Sequence, residues 1–189
     1  CDPFSGGIPR IGAMGRLVAK KGFDVWLKSL AMLRDQGISF EARLAGEGGE
    51  HAALESLCTA LRLENHVTFT GWVANATEFY RDIDLFCVPS HHEPFGIVVI
   101  EAMAHGLPVI ATNSEGPSEI VTNPAHGILV EKNNPEAMAT VLTHLLDNPQ
   151  TAREMGKNAR THALNTYNQR KCSAEMLGAL QQITIRHRP

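Results

Sequence analysis

Ser90-His91-His92-Glu93-Pro94-Phe95-Gly96-Ile97-Val98-Val99-Ile100-Glu101-Ala102-Met103-Ala104-His105-Gly106-Leu107-Pro108 is the stretch on which the fold turns. Ahead of it stands Leu85-Phe86-Cys87-Val88, a short apolar run that reads as a buried strand. Pro94 keeps Glu93 out of the α region, so a helix is expected to begin after it, near Gly96. A strand, a tight loop and a helix in that order aim unpaired backbone N–H groups at one point, a favourable place for an anion. The amides of Gly96, Ile97 and Val98 fall in that first turn. Glu101 lies four residues after Ile97 and three after Val98, hence on the same face, about one turn below the helix start. A phosphate at the amides would leave Glu101 beside whatever hangs from it, such as a ribose diol, whose two hydroxyls a carboxylate can accept. The plainer reading makes Glu101 a rim residue and Glu93 a solvated loop charge. Against it, a glutamate amid Ile, Val, Ala and Met is seldom buried without a partner.

Working outward, the same alternation recurs along the chain. Strands are expected at Arg10–Gly15, Phe40–Ala45, Val67–Thr70, Leu85–Val88, Val109–Ala111 and Ile128–Val130. Between them come helices at about Phe23–Gln36, Glu50–Leu61, Ala74–Tyr80, from Gly96, and from near Pro117. Helices at about Pro135–Leu146, Pro149–Leu164 and Gln169–Ile183 complete the order. Six short strands alternating with helices imply an α/β fold, a Rossmann-like parallel sheet with helices on both faces. Ligands of such sheets bind outside the carboxyl ends of the strands. The Pro- and Gly-containing residues 1–9 read as the remnant of an interdomain linker, with one domain over 10–189.

The bulk properties exclude several classes. A chain of 189 residues, 43 % hydrophobic, can bury a full core. A net charge of −3 gives no electrostatic footprint for nucleic acid. No apolar run is long enough to cross a bilayer, and no signal peptide opens the sequence. The four cysteines (Cys1, Cys58, Cys87, Cys172) lack metal-ligand spacing, and Cys58 and Cys87 sit in apolar patterns that suit reduced core residues of the cytoplasm. The nine histidines form no ligand pattern either, and His91 and His92 point to opposite sides of an extended chain. No metal site is expected.

Two further loops carry chemistry. Gly15-Arg16-Leu17-Val18-Ala19-Lys20-Lys21-Gly22 follows the first strand, and there Arg16 offers a planar fork of donors and Lys21 a mobile charge, suited to a diphosphate. Gly46-Glu47-Gly48-Gly49 comes close to the dinucleotide fingerprint but fails it, because the third glycine position is His51 and the loop follows the second strand. It reads either as a plain turn cluster or as lining for a base. A glycoside hydrolase would need two carboxyl groups roughly 5–9.5 Å apart. Eight helical residues would set Glu93 and Glu101 about 12 Å apart, and the diphosphate features would stand idle.

Taken in order, these pieces resemble the C-terminal domain of family 4 glycosyltransferases, the retaining "group 1" enzymes of the GT-B fold. The resemblance is carried by Gly15-Arg16-Leu17 with Lys21-Gly22, by Leu44-Ala45-Gly46-Glu47-Gly48, and by Val67-Thr68-Phe69-Thr70-Gly71-Trp72-Val73. It continues through Asp84-Leu85-Phe86-Cys87-Val88-Pro89-Ser90, Glu93 with seven residues before Glu101, Gly106-Leu107-Pro108-Val109-Ile110-Ala111, Glu119-Ile120-Val121 and Gly127-Ile128-Leu129-Val130. The resemblance implies that Arg16 and Lys21 hold the donor diphosphate and steady the departing nucleotide. It implies that the amides of Phe95, Gly96, Ile97 and Val98 receive the phosphates, that Glu93 binds donor-sugar hydroxyls and that Glu101 binds the ribose. Backbone near Gly71–Val73, with Gly46, Trp72 and Val73, would meet the base. The expected partners are a nucleotide-sugar donor and a glycan or lipid-linked acceptor, with no metal or other cofactor. The expected location is the cytoplasm, with peripheral contact to the inner face of a membrane left open.

Two departures from the family pattern stand out. Family members often carry Gly-Gly ahead of the Glu119 position, where this chain has Glu115-Gly116. The N-terminal acceptor-binding domain is also absent from these residues, so the fragment is expected to bind nucleotide and to be inactive alone. In that fold the last helices return toward the N-terminal domain, so Gln169–Ile183 is expected to lack part of its docking surface. Two alternatives stay open: a stand-alone nucleotide-sugar-binding module that works with a partner chain, and a nucleotide-sugar epimerase.

Overall fold

Short apolar runs become parallel strands here because helices cover both faces of the sheet they form. The computed structural model of the chain describes Phe4 and residues 7–167. Its strands are β1 (Arg10–Met14), β2 (Glu41–Ala45), β3 (Val67–Gly71), β4 (Leu85–Val88), β5 (Val109–Thr112) and β6 (Ile128–Val130). They pair in the order β3-β2-β1-β4-β5-β6, every pairing parallel. β4 and β5 are buried at every position, which is why they read as unbroken apolar runs and not as alternation.

Seven α-helices link and follow the strands among the described residues: α1 (Phe23–Asp35), α2 (His51–Ala60), α3 (Ala76–Arg81), α4 (Ile97–Ala104), α5 (Glu115–Ile120), α6 (Pro135–Asp147) and α7 (Pro149–Thr166). The sheet divides the apolar interior in two. Trp26, Leu30, Leu54 and Leu142 of α1, α2 and α6 pack in one cluster, and Phe79, Val99, Met103 and Ile120 of α3, α4 and α5 in the other. α7 passes from one to the other, placing Ala152 and Met155 in the first and Ala159 and Ala163 in the second. Small residues allow this crossing. A Cβ on Gly156 would lie 2.1 Å from the Gly106 carbonyl oxygen, so α7 rests directly on the turn that ends α4.

The expected elements are present with shifted ends. α3 starts at Ala76, two residues later than expected, because the Asn75 side chain caps it by accepting the Thr77 N–H at 3.1 Å. α5 starts at Glu115, before Pro117, since a proline in the first turn removes an N–H that has no helical partner anyway. A single 3₁₀ turn, Ala19–Lys21, falls inside the basic loop. The expected Gln169–Ile183 helix lies outside the described residues.

Strand order decides where a ligand can enter. The chain leaves β1 toward β2 and β3 on one side, and β4 returns to the other side of β1, with Ala13 opposite Cys87. Strand order therefore reverses between β1 and β4. The loops after these two strands meet at this switch point, the position where open α/β sheets hold ligands.

Candidate functional site

The loops after β1 and β4 are fastened to each other at this switch point. The Lys20 carbonyl accepts the amides of both His91 and His92, at 2.9 and 3.3 Å. Gly22 holds φ at +64°, and a Cβ there would lie 2.1 Å from the Pro89 carbonyl oxygen, so only glycine lets the two loops meet so closely. Beside that contact the Lys21 ammonium is ion-paired with Glu93 Oε2. The other Glu93 oxygen accepts the Gly96 N–H at 3.3 Å, and its carbonyl accepts the Gly116 N–H at 2.8 Å. Glu93 is thus buried with a partner on each side, as a carboxylate taken out of water requires. Sequence reasoning gave Lys21 and Glu93 to different parts of one ligand; the structure brings them together directly.

Helix α4 starts at this point. Its cap, Gly96, is left-handed at φ +69°. The Gly96 amide is taken by Glu93, which removes it from the expected anion cradle, while the N–H groups of Phe95, Ile97 and Val98 have no acceptor among the described residues. Phe95 and Ile97 stand 78 % and 62 % exposed, so large apolar side chains rim the site on its open side. One turn into α4, Glu101 Oε2 accepts the Tyr80 hydroxyl at 2.9 Å. Burial, and then the Glu101 charge beside it, push the Tyr80 phenol far above its ordinary value, so it remains a donor. Sequence reasoning missed Tyr80. The signal was available: a glutamate on an apolar helix calls for a donor, and Tyr80 ends the neighbouring helix.

A cleft of about 310 Å³ opens at the carboxyl ends of β1, β2 and β3, lined by Met14, Gly15, Arg16, Ala45, Gly46, Glu47, Trp72 and Val73. Three residues assigned to the base, Gly46, Trp72 and Val73, therefore share one cavity with Arg16. A Cβ on Gly46 would stand 1.8 Å from the Gly15 carbonyl oxygen, and one on Gly48 2.2 Å from that of Leu17. The glycine cluster is a turn packed against the basic loop, and Gly46 lines the cleft as well. Arg16 is exposed, without an ion-pair partner among the described residues, and also borders an adjoining basic hollow with Val18, Lys20 and Lys21.

The Glu115-Gly116 departure has a definite geometry. A Cβ on Gly116 would fall 2.5 Å from the Phe95 carbonyl carbon, so close approach to the Phe95-Gly96 loop is needed at this position, where the chain keeps glycine. Glu115 starts α5 on the rim, its Oε1 3.0 Å from His92 Nδ1 and 3.9 Å from Lys132 Nζ. Its own backbone N–H, then His92 and Lys132, hold this carboxyl below the usual range. His91 turns the opposite way, with Nε2 3.8 Å from Asp24. Cys58 and Cys87 are buried and unpaired, and burial pushes the Cys87 thiol up to about 12. Among the described residues no cluster of three or more His, Cys, Asp or Glu is set to hold a metal ion, and no helix is long and apolar enough to cross a membrane.

Comparison with known proteins gives a consistent picture. The family model described as glycosyl transferases group 1 matches residues 4–162. An uncharacterized glycosyltransferase of Haemophilus influenzae is 35 % identical over 149 residues, covering 78 % of this chain and 42 % of that protein. The lipopolysaccharide core biosynthesis glycosyltransferase LpsE of Rhizobium meliloti is 34 % identical over 138 residues, 73 % of this chain and 39 % of the relative. The chain thus spans about two-fifths of the curated relatives it matches. Among solved structures, Anabaena Alr3699/HepE in complex with UDP superposes with a TM-score of 0.87 at 27 % identity, covering 93 % of this chain and 49 % of that one. The same Anabaena protein in complex with UDP-glucose gives 0.86 at 26 % identity. The six-stranded doubly wound sheet is that of one half of a GT-B glycosyltransferase.

Proposed function

The chain belongs to the glycosyl transferases group 1, and from that premise we propose that it is the donor-binding half of a retaining glycosyltransferase. The full protein would move a sugar from a nucleoside diphosphate to a glycan or lipid-linked acceptor, in the cytoplasm. The observation that carries this reading is the fastening of the basic loop to the carboxylate loop at the topological switch point, beside the cleft lined by Gly46, Trp72 and Val73. In the proposal Arg16 and Lys21 face the diphosphate, and the free amides of Ile97 and Val98 join them. Lys21, held by Glu93, and the amides at the start of α4 are fixed before the nucleotide departs, so they stabilise the charge that develops on it without reorganising. Positive charge then comes from side chains and backbone, with no resident metal called for.

Glu93 is assigned to the sugar hydroxyls and Glu101 to the ribose. The Lys21–Glu93 pair supports the first assignment, because it holds a buried carboxylate in place between the phosphate and sugar positions. A UDP complex of a neighbour with the same fold supports a uridine nucleotide as the first probe. Acceptor and membrane contacts are assigned to chain beyond these residues, so the fragment is expected to bind and not to turn over.

Thermal unfolding in the presence of UDP, GDP and ADP tests the donor site. A nucleotide held at 100 times its Kd adds about 2.7 kcal/mol of stability. One of the three is expected to stabilise the wild type, and Arg16→Ala and Glu101→Ala are expected to erase most of that shift. Stabilisation that survives both substitutions would move the site elsewhere. Sugar transfer by the isolated chain would overturn the claim that it is inactive alone.

A further inference from the structure

Glu101 sits on a helix whose neighbours are apolar, and a glutamate side chain free to turn there would lose much of its rotamer freedom on meeting a ligand. Here one of its oxygens is already tied. The Tyr80 hydroxyl lies 2.9 Å from Glu101 Oε2, against 3.5 Å to the Val98 carbonyl oxygen, so its single proton goes to the carboxylate. Tyr80 is itself held. It is 1 % exposed, packs edge-on against Phe86 with ring centroids 5.3 Å apart, and stacks on His105 at 5.0 Å with 29° between the planes. His105 Nδ1 in turn lies 2.8 Å from the carbonyl oxygen of Glu101, which anchors the stacked ring to the same turn of α4. The chain of contacts runs in a closed loop: Glu101 carboxylate, Tyr80 ring, His105 ring, Glu101 backbone. Glu101 Oε1 has no partner among the described residues.

We infer that Tyr80, backed by His105, is a positioning residue that locks the Glu101 carboxylate in one rotamer, so that its unpaired oxygen is presented to a vicinal diol. This rests on the donor-site reading above and adds a specific selectivity to it. The arrangement rewards a ligand with two adjacent hydroxyls over one that lacks them, because the tied carboxylate is already ordered and an unmet acceptor is left behind when the diol is missing. Tyr80 touches no ligand in this scheme. Its hydroxyl acts through Glu101 alone, and a phenylalanine keeps every ring contact while deleting that one hydrogen bond.

Calorimetric titration separates the possibilities, using whichever of UDP, GDP and ADP binds the wild-type chain most tightly, together with its 2′,3′-dideoxy analogue. Tyr80→Phe is expected to weaken the ribonucleotide by about three- to tenfold, the range of one net hydrogen bond, and to leave the dideoxy analogue within about twofold. In a Glu101→Ala background the same substitution is expected to change neither affinity. Thermal unfolding of each variant confirms that it is folded. Equal weakening of both nucleotides, or an unchanged ribonucleotide affinity, would show that Tyr80 only braces α3 against α4, and the inference fails. A wild type that binds both nucleotides equally overturns it too while leaving the diphosphate site standing; a wild type that binds none removes the donor site and the inference together.

Discussion

The loops after β1, β2 and β3 and those after β4 and β5 form opposite walls of one site and are built differently. On the first wall the chain packs backbone on backbone: Gly15 N–H to the Ala45 carbonyl at 3.0 Å, Leu17 N–H to Glu47 at 2.9 Å, Gly46 N–H to Gly71 at 2.7 Å. Its Arg16 side chain is exposed, and its Lys21 reaches across to Glu93. On the second wall each acidic side chain is held: the buried Glu93 by Lys21 of the first wall, Glu101 by Tyr80, and Glu115, on the rim, by His92. The difference teaches where chemistry is written. A wall made of main chain can follow the shape of a flat base without specifying it in side chains. A wall of paired carboxylates must declare its residues.

The most severe way to break the contrast is to add one carbon to the backbone wall. Gly46→Ala combines a φ of +136° with a Cβ 1.8 Å from the Gly15 carbonyl oxygen, and is expected to cost on the order of 3 kcal/mol or more in urea unfolding. A loss below about 0.5 kcal/mol would mean the wall is soft. Between the walls, Lys21→Met leaves Glu93 buried without its cation. With both side chains mostly buried, about 2 kcal/mol of destabilisation is expected, partly restored by the double variant Lys21→Met with Glu93→Gln. No recovery in the double variant would argue against a charge-specific effect.

A smaller effect lies behind the second wall. His126 stacks on His162 with ring centroids 4.4 Å apart, and His126 Nδ1 and His162 Nε2 are buried without partners. Burial, then His162, hold the His126 imidazole below its ordinary value. The stabilising contribution is therefore present above about pH 6.5, the unfolded value, and is lost as pH falls through the lower folded value, since the unfolded chain takes up the proton first. Urea midpoints at pH 7.5 and 5.5 should show this loss in the wild type and a flatter dependence in His126→Phe. An identical dependence in both would place the titration elsewhere. The least effect on folding belongs to Trp72→Ala: at 70 % exposure it should change stability by less than about 0.5 kcal/mol while weakening nucleotide binding. A large loss of stability would make Trp72 part of the packing and not of the open rim.

The contrast between walls also explains what could be read from the residues alone. Runs such as Leu85–Val88 and Val109–Ala111 announce buried strands, Pro94 with Gly96 marks the start of α4, and the paired glutamates flag the second wall. Strand order could not be read this way. Whether β4 returns beside β1 or continues beyond β3 depends on long-range pairing that no local pattern encodes. Partners of the charges were equally hidden, because Lys21 and Glu93 are separated by 72 residues and meet only once the sheet has reversed direction. Tyr80 reads as an ordinary apolar end to a helix until Glu101 is seen beside it. At Gly46 and Gly48 the glycines are visible in the sequence, while the carbonyl groups they press against are not.

The seat of α7 on the turn after α4 has a mechanical consequence. Gly156 and Gly106 act as a fulcrum, with no room for even a methyl group between helix and turn. From Gly156 to Thr166 the helix extends about 15 Å, a stiff arm pivoting on that contact. A side chain at 156 would have to raise the arm by roughly 1 Å to restore ordinary contact distances. The lift would swing the far end through an angle and peel Ala159 and Ala163 from the core they fill. The seating of the second half of α7 is therefore set at Gly156, ten residues before the helix ends.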